Sequence, residues 1–248
     1  MPPRKLRCAI ALPTLLLSFA PLLAASAGAD SRAPAAVVAD TVLATDSNGV
    51  GATLAAAAEA AGLRTSVLEL GLRAHARARA EGRTASDLLT VIDYSLPSRE
   101  RRLWVLDLAT GAVLEHELVA HGNGSGGDLA TAFSNVSGSN QTSLGTFVTG
   151  ATYQGKHGLS LRLHGLDEGL NDQAHARAIV VHGAGYVNPG IISTLGRLGR
   201  SQGCPALSTE ASGRIIRRIQ GGTVIFSYYP TPALERTLAG TPVGTLAL

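Results

Sequence analysis

The sequence reads Gly199-Arg200-Ser201-Gln202-Gly203-Cys204-Pro205-Ala206 near its end, and this stretch places a cysteine between a glycine and a proline. The chain has 2 cysteines, and the other, Cys8, lies in an N-terminal stretch with the features of an export signal. Exported proteins ordinarily pair their cysteines as disulfides. A single remaining thiol in a polar, glycine-rich setting therefore indicates a reactive group, although a buried structural cysteine is the alternative.

The N-terminus has the three parts of a secretory signal peptide. Arg4, Lys5 and Arg7 form a basic region, an apolar stretch follows from 9 to 25, and small residues at 25–29 suit cleavage. We expect residues 1–29 to be removed and the protein to be periplasmic or secreted. The apolar stretch is short and interrupted by prolines, and no later stretch is long enough to span a bilayer. We therefore expect no stable membrane span after cleavage.

The charge balance changes when the signal is removed. The chain has 21 Lys and Arg against 18 Asp and Glu, and the signal contains three of the bases and none of the acids, so 18 of each remain. A mature chain without net charge gives no support for a nucleic-acid partner. We expect a monomer.

Composition and periodicity divide the chain into five parts. They are a signal peptide at 1–29, a flexible tether at 30–50, an N-terminal helical segment at 51–86, a catalytic body at 87–232 and a turn-rich tail at 233–248. Within the helical segment, Ser66 and Glu69 fit a capping box, in which each side chain bonds a backbone amide of the first turn.

The body has the period of strands. Alternating or apolar runs predict strands at 88–94, 102–108, 112–121, 144–153, 159–165, 178–183 and 223–229. One late helix follows Cys204: Ser208 or Thr209 caps it, three isoleucines form its apolar face, and Gly221-Gly222 ends it. The predicted fold class is mostly β, of the α+β type.

A cysteine nucleophile needs a base, a group that orients the base, and donors for the oxyanion. The amides of Gly203 and Cys204 are candidate oxyanion donors because glycine permits a close approach. His182 ends an apolar strand and precedes Gly183, a position that suits a base. His121 and His164 also precede glycines at the ends of predicted strands, so spacing alone does not choose among the three.

Other chemistry lacks a sequence pattern. The 7 histidines form no His-x-His or His-Glu-x-x-His motif, and there is no Cys-x-x-Cys motif. The glycine-rich stretch 121–127 lacks the Lys-Ser/Thr of a phosphate-binding loop and is predicted to be a mobile loop at the rim of a site. We therefore predict no metal and no cofactor.

Two segments together resemble a known signature. Val181-His182-Gly183 followed by Ser201-Gln202-Gly203-Cys204 is similar to YkuD-type L,D-transpeptidases, which have a histidine-glycine at a strand end and then Ser/Thr-His-Gly-Cys. More specifically, the chain resembles the divergent murein L,D-transpeptidase catalytic domain family, from about residue 89 to 229. Further matching stretches lie at 91–95, 102–107, 119–122, 133–135, 143–145 and 153–158.

The resemblance implies a YkuD-like β-sandwich or open barrel and an acyl transfer on peptidoglycan stem peptides. In such enzymes the cysteine attacks the carbonyl of the third stem residue and expels D-alanine. An amine of a neighbouring stem then accepts the acyl group, or water does in a carboxypeptidase. Carried over, Cys204 is the nucleophile, His182 the base and the Gly183 carbonyl its orienter, with the amides of Gly203 and Cys204 as oxyanion donors.

The chain departs from the common signature at three points. Gln202 replaces a histidine that could titrate, Pro205-Ala206 replaces polar residues, and a longer interval between His182 and Ser201 predicts a loop over the cleft. The candidate substrate contacts are Tyr186, Arg200, Ser201 and Gln202, with Arg200 suited to a bidentate pair with a stem carboxylate. A non-catalytic wall-binding module on the same fold and a general cysteine peptidase are the alternatives.

Overall fold

The computed structural model describes residues 44–239. The predicted signal peptide, the first part of the tether and the end of the tail lie outside the described residues. The helices are α1 (Ala44–Ala60), α2 (Thr65–Ala80), α3 (Pro189–Leu195), α4 (Thr209–Ile219) and α5 (Pro232–Leu238). The strands are β1 (Leu88–Asp93), β2 (Arg101–Asp107), β3 (Ala112–Leu118), β4 (Gly145–Gly155), β5 (Gly158–Gly165), β6 (Val180–Gly183), β7 (Ala206–Leu207) and β8 (Val224–Tyr228).

The strands form one 8-stranded mixed sheet in the order β3-β2-β1-β8-β4-β5-β6-β7. β1 pairs with β8, and β6 with β7, in parallel, while the other neighbours are antiparallel. A bridge between Ala120, just after β3, and Ala206 in β7 brings the two ends of the sheet together. The result is a nearly closed barrel, and the predicted mostly β, α+β class with an open-barrel form is confirmed.

The two faces of the sheet bury separate cores, as the alternation of side chains along a strand requires. On the inner face Ile92, Leu103, Val105 and Ile225 pack with the apolar side of α4, the three isoleucines 215, 216 and 219. Ser208 caps α4 by accepting a hydrogen bond from the amide of Ala211. The predicted late helix and its apolar face are confirmed.

The outer face is covered by α1, α2 and α5. Leu89, Val91 and Phe226 belong to this second core. Gly71 of α2 faces them closely: a β-carbon there would lie 3.1 Å from Val91 Cγ2, so glycine allows the helix to approach the sheet. Trp104 Nε1 donates to the Ala61 carbonyl at 2.8 Å. The N-terminal helical segment is therefore packed on the strands.

Several local expectations are wrong. Residues 44–50, expected in the tether, belong to α1, whose backbone at Val50 contacts the β2–β3 turn, where Gly111 has a φ of 75°. The capping box at Ser66 and Glu69 does not form, because α2 begins at Thr65 after Arg64.

The beginning of the expected tail is helix α5, and Leu234 and Leu238 are buried in the outer core. Contacts with the rest of the fold, which local patterns do not record, stabilise both this helix and the start of α1. Among the described residues, none of the helices combines the length and the apolar content needed to cross a membrane.

Candidate active site

A pocket of about 680 Å³ opens beside residues 201–204, the cysteine turn. Its walls come from the β4–β5 hairpin, residues 177–186 around β6, the segment before β7, and Gly138 and Asn140. Six of the residues expected in a site line it, namely His182, Tyr186, Arg200, Ser201, Gln202 and Cys204. The structure thus brings the candidate nucleophile, base and substrate contacts to one cavity.

His182 is placed by β6, whose register sets it beside Ala206 of β7 and Ser160 of β5. The side chain is buried, and Nδ1 lies 2.9 Å from the Gly183 carbonyl oxygen. A carbonyl only accepts, so Nδ1 carries the proton and Nε2 is the basic nitrogen. Burial lowers the pKa of His182 below its ordinary value, which favours the neutral ring at neutral pH.

The other two candidate histidines lie away from the pocket. His121 is fully buried, and its Nδ1 accepts a hydrogen bond from Arg102 at 2.8 Å. Burial, and then the neighbouring Arg102 charge, lower the pKa of His121 to about 4. His164 stacks on His175, with ring centroids 4.8 Å apart. Of these three histidines, His182 alone lines the pocket that contains Cys204.

The cysteine turn is held by Ser201. Its hydroxyl donates to the Cys204 carbonyl at 2.6 Å and accepts from the Gly203 amide at 3.1 Å. The Ser201 backbone amide donates to the His121 carbonyl at 3.0 Å, and the Asn123 amide donates to the Ser201 carbonyl at 2.8 Å. Ser201, expected as a substrate contact, is buried, and its hydroxyl bonds the cysteine turn.

These bonds change the expected oxyanion site. The Gly203 amide is engaged by Ser201, whereas the Cys204 amide has no acceptor within the described part of the chain. Of the two predicted donors, only the Cys204 amide is free in this structure. The role of the two amides as oxyanion donors stays a prediction, and in this structure Ser201 already accepts from the Gly203 amide.

The thiol of Cys204 is half-buried, and its Sγ lies 3.9 Å from the Ala178 carbonyl. Burial raises the pKa of this thiol, while a hydrogen bond from the Val180 backbone and then the charges of Arg177 and Lys156 act in the opposite direction. With a raised thiol pKa and a lowered His182 pKa, the resting pair is a neutral thiol and a neutral imidazole.

Among the pocket residues that were missing from the sequence candidates are three with basic side chains. Arg177, from the turn before β6, and Lys156 and His157, from the β4–β5 hairpin, line the pocket. The hairpin pair lies in a stretch that matched the family resemblance, so its role had a weak signal. Arg177 lies in a polar turn and had none.

The remaining candidates differ in how firmly they are held. Tyr186 packs against Gly199, where a β-carbon would overlap the Tyr186 Cβ, and its carbonyl accepts from the Gly199 amide at 3.0 Å. Arg200 donates from Nη1 to the Gly126 carbonyl at 2.8 Å, and Gln202 is exposed. The Gly126 partner belongs to the glycine-rich stretch, which was expected to be a mobile loop.

That stretch is tied to its surroundings instead. It contains a short 3-10 turn, Asn123–Ser125, and is bonded to Ser201 as described above. The loop expected between His182 and Ser201 contains α3, which Asn188 caps by accepting from the Ile191 amide at 3.0 Å.

A metal centre finds no support in the part of the chain that the structure describes. No group of three or more His, Cys, Asp and Glu side chains there is placed to hold an ion. The arrangement that is present, a thiol, a neutral imidazole with one nitrogen fixed, and a free amide, has the parts needed for acyl transfer.

Solved L,D-transpeptidases resemble this structure distantly. One from Mycobacterium smegmatis is 16% identical with a TM-score of 0.37, over 58% of this chain and 59% of that chain. L,D-transpeptidase 3 from Mycobacterium tuberculosis is 13% identical with a TM-score of 0.38, over 58% and 61%. One from Xylanimonas cellulosilytica is 18% identical with a TM-score of 0.33, over 61% and 68%. This chain thus spans about three fifths of the length of the first of them.

No curated protein matches the sequence. The family model of the L,D-transpeptidase catalytic domain matches residues 59–228. This range is more than half of the 248 residues and includes the pocket, the cysteine turn and all eight strands. The chain therefore belongs to the L,D-transpeptidase catalytic domain family.

Proposed function

We propose that this protein is an exported cysteine acyltransferase of peptidoglycan. It cleaves the bond before the terminal D-alanine of a tetrapeptide stem and transfers the acyl group to a stem amine, which forms a cross-link, or to water. The observation that carries the proposal is that Cys204 lines the same pocket as His182, whose Nδ1 is fixed by the Gly183 carbonyl.

The first half-reaction forms a thioester on Cys204. His182 Nε2 takes the thiol proton while Sγ attacks the carbonyl carbon of the third stem residue. The resulting oxyanion accepts a hydrogen bond from the Cys204 amide. When the C–N bond breaks, the proton passes from His182 to the amine of the leaving D-alanine.

The second half-reaction regenerates the enzyme. The acceptor amine, or water, attacks the thioester carbonyl and gives a proton to His182 Nε2. The C–S bond breaks, and the thiolate recovers the proton from the imidazolium. Throughout, the Gly183 carbonyl keeps the ring in the tautomer that leaves Nε2 basic, and it stabilises the charged ring because its oxygen accepts from Nδ1.

The charge of the pocket supports an acidic peptide as the donor. Lys156, Arg177 and Arg200 line it, and none of its lining residues is Asp or Glu. Stem peptides have free carboxylates, and arginine pairs with a carboxylate through two parallel hydrogen bonds. We assign Arg200 and Lys156 to these carboxylates, with Tyr186 and Gln202 at the wall of the same cavity.

Export is part of the proposal. We propose that residues 1–29 direct the chain out of the cytoplasm, and that the mature protein acts in the periplasm or after secretion. N-terminal sequencing of the exported protein should give a start at Gly28 or Asp30. An exported protein that retains Met1 would contradict this part.

Mass spectrometry tests the chemistry directly. The exported protein, as wild type and as Cys204→Ala, is incubated with a disaccharide tetrapeptide that ends in D-alanine, and the modified residue is mapped. We expect a thioester on Cys204 in the wild type alone, with release of D-alanine. The ratio of cross-linked dimer to tripeptide then separates transpeptidase from carboxypeptidase activity.

Three outcomes would contradict the proposal. A folded wild type with a free thiol but no adduct and no D-alanine release would favour a wall-binding module. Equal turnover of a stem ending in L-alanine would favour a general cysteine peptidase. An adduct of equal yield in Cys204→Ala would place the nucleophile elsewhere.

A further inference from the structure

The guanidinium of Arg177 is held by four hydrogen bonds to one segment, residues 134–143. Nη1 donates to the Ser134 carbonyl at 2.6 Å and to Ser143 Oγ at 2.5 Å. Nη2 donates to the Gln141 carbonyl at 2.7 Å and to Ser139 Oγ at 3.3 Å. A planar fork of donors suits this task, because its hydrogen bonds leave in fixed directions. One side chain thus joins both ends of the segment.

The segment that Arg177 holds lies against the cysteine turn. Thr142 Oγ1 donates to the Gly203 carbonyl at 3.2 Å. A β-carbon on Gly203, which has a φ of 117°, would lie 2.9 Å from the Gln141 carbonyl oxygen and 3.5 Å from Arg177 Nη2. The guanidinium is therefore next to the residue that precedes the nucleophile.

The backbone after Arg177 contacts the thiol. Ala178 has a φ of 54°, in the left-handed region that residues with a β-carbon rarely adopt, and its carbonyl lies 3.9 Å from Cys204 Sγ. Within the described part of the chain, none of the hydrogen bonds or ion pairs of Arg177 involves a carboxylate.

We propose that Arg177 is a positioning residue that holds segment 134–143 behind the cysteine turn and provides a fixed positive charge that stabilises the Cys204 thiolate. A cation close to a thiol favours the charged form. The other titratable or charged side chains that line the pocket are Tyr153, Lys156, His157, His182, Tyr186 and Arg200. The inference deepens the proposed function, because it takes Cys204 as the nucleophile.

Alkylation of Cys204 by iodoacetamide tests the charge without using the transfer reaction. The rate is measured against pH for wild type, Arg177→Gln and Arg177→Lys, with thermal unfolding to check folding. Gln retains a hydrogen-bond donor without the charge, and Lys retains the charge without the fork. Arg217→Gln, an equal change on the exposed side of α4, is the matched control.

We expect Arg177→Gln to raise the midpoint of the alkylation profile by about one pH unit, which is about tenfold in rate below the midpoint. Arg177→Lys should shift the midpoint by less than half as much, and Arg217→Gln should leave it unchanged. Equal midpoints for wild type and Arg177→Gln, or equal shifts for Gln and Lys, would overturn the electrostatic role.

Hydrogen exchange tests the positioning role. A lysine ammonium has three donors on a flexible stem and does not span four acceptors, so amides of 134–143 should exchange faster in Arg177→Lys than in wild type. Unchanged exchange there would overturn this role. If Arg177→Gln does not fold, Arg177→Lys alone decides both points, since a midpoint shift of a full unit in a variant that keeps the charge would refute the electrostatic role.

The two proposals fail separately. Unchanged alkylation and exchange profiles in the Arg177 variants, together with a thioester on wild-type Cys204, would reject the role of Arg177 and leave the acyl transfer standing. A shifted alkylation profile in Arg177→Gln, without any thioester on wild-type Cys204, would reject the acyl transfer and leave the role of Arg177 standing.

Discussion

The imidazole of His157 stacks on that of His182, with ring centroids 4.4 Å apart and planes 22° apart. His157 is exposed and His182 buried, so the hairpin residue covers the candidate base at the mouth of the pocket. Burial, and then the charges of His157 and Lys156, lower the pKa of His182. A neighbouring histidine on a hairpin thus adjusts the proton affinity of the base.

Replacing His157 with alanine should raise the pKa of His182. The change exposes the ring to water and removes a neighbouring charge, and both effects had lowered the pKa. The base is neutral and active above its pKa, so the acid limb of the kcat/KM profile should move to higher pH and activity along that limb should fall. NMR titration of the His182 ring measures the same shift.

His175→Ala is the control for that experiment, because His175 stacks on His164, and neither of these two histidines lines the pocket. It should leave the acid limb in place. An acid limb that moves equally in both variants, or in neither, would contradict the role of His157.

Gly183→Ala should damage both stability and activity. A β-carbon there would lie 2.5 Å from Ser212 Oγ and 3.2 Å from Ser212 Cβ on α4, so the strand or the helix must shift. Such overpacking costs about 1–3 kcal/mol of unfolding free energy, and it displaces the carbonyl that orients His182. Urea unfolding and kcat measure the two effects.

Ser212→Ala provides the test of that mechanism. It removes the hydroxyl oxygen at 2.5 Å, so the double variant should regain part of the stability that Gly183→Ala loses. Additive losses in the double-mutant cycle would show that the clash is not the cause.

Ser201→Ala should lower kcat by about tenfold with little change in KM. Its hydroxyl bonds the Gly203 amide and the Cys204 carbonyl, so its loss loosens the cysteine turn and not the contact with the substrate. Ser193→Ala is the control, because its exposed hydroxyl bonds the Pro189 carbonyl of its own helix. A rise in KM alone would instead support the substrate contact predicted from sequence.

Removing the cation of the Arg77–Asp167 ion pair should lower the free energy of unfolding more than removing the cation of an exposed pair. The Asp167 carboxylate is buried and also accepts from the Thr146 amide at 2.6 Å. Arg77→Met leaves this carboxylate without its cation, a loss of about 3–5 kcal/mol in unfolding free energy. Arg79→Met breaks an exposed pair with Asp87 and should cost less than about 1 kcal/mol. Similar losses in urea unfolding would contradict this ranking.

The elements that the sequence predicted well are those with their own period. The apolar run 103–106 predicts a strand, and the structure places it in β2, which is buried on both faces. The three isoleucines of 208–219 mark one buried face, and the structure places them in α4. α3 and α5 were missed, although Asn188-Pro189 and Thr231-Pro232 are capping pairs that begin them. Each helix has only seven residues, too few for a period to be recognised.

The site shows a similar division. Three histidines precede a glycine at the end of a predicted strand, so the sequence pattern did not choose a candidate base among them. The register of the sheet separates His182 from His121, which is bonded to Arg102, and from His164, which stacks on His175. Arg177 had no sequence signal, because its partners are backbone carbonyls and hydroxyls more than 30 residues away in the chain. Long-range hydrogen bonds of this kind leave no local pattern.

The bridge between Ala120 and Ala206 has a consequence for the order in which the protein becomes active. The cysteine turn is anchored to residues 120–123, far earlier in the chain, whereas the hairpins and helices form from near neighbours. Contacts between distant residues form late, because the entropy cost of closing a long loop comes before the contacts can stabilise the chain. We therefore expect a refolding chain to recover its secondary structure before the Cys204 thiol becomes reactive. On heating, we expect the reactivity of the thiol to be lost before the secondary structure.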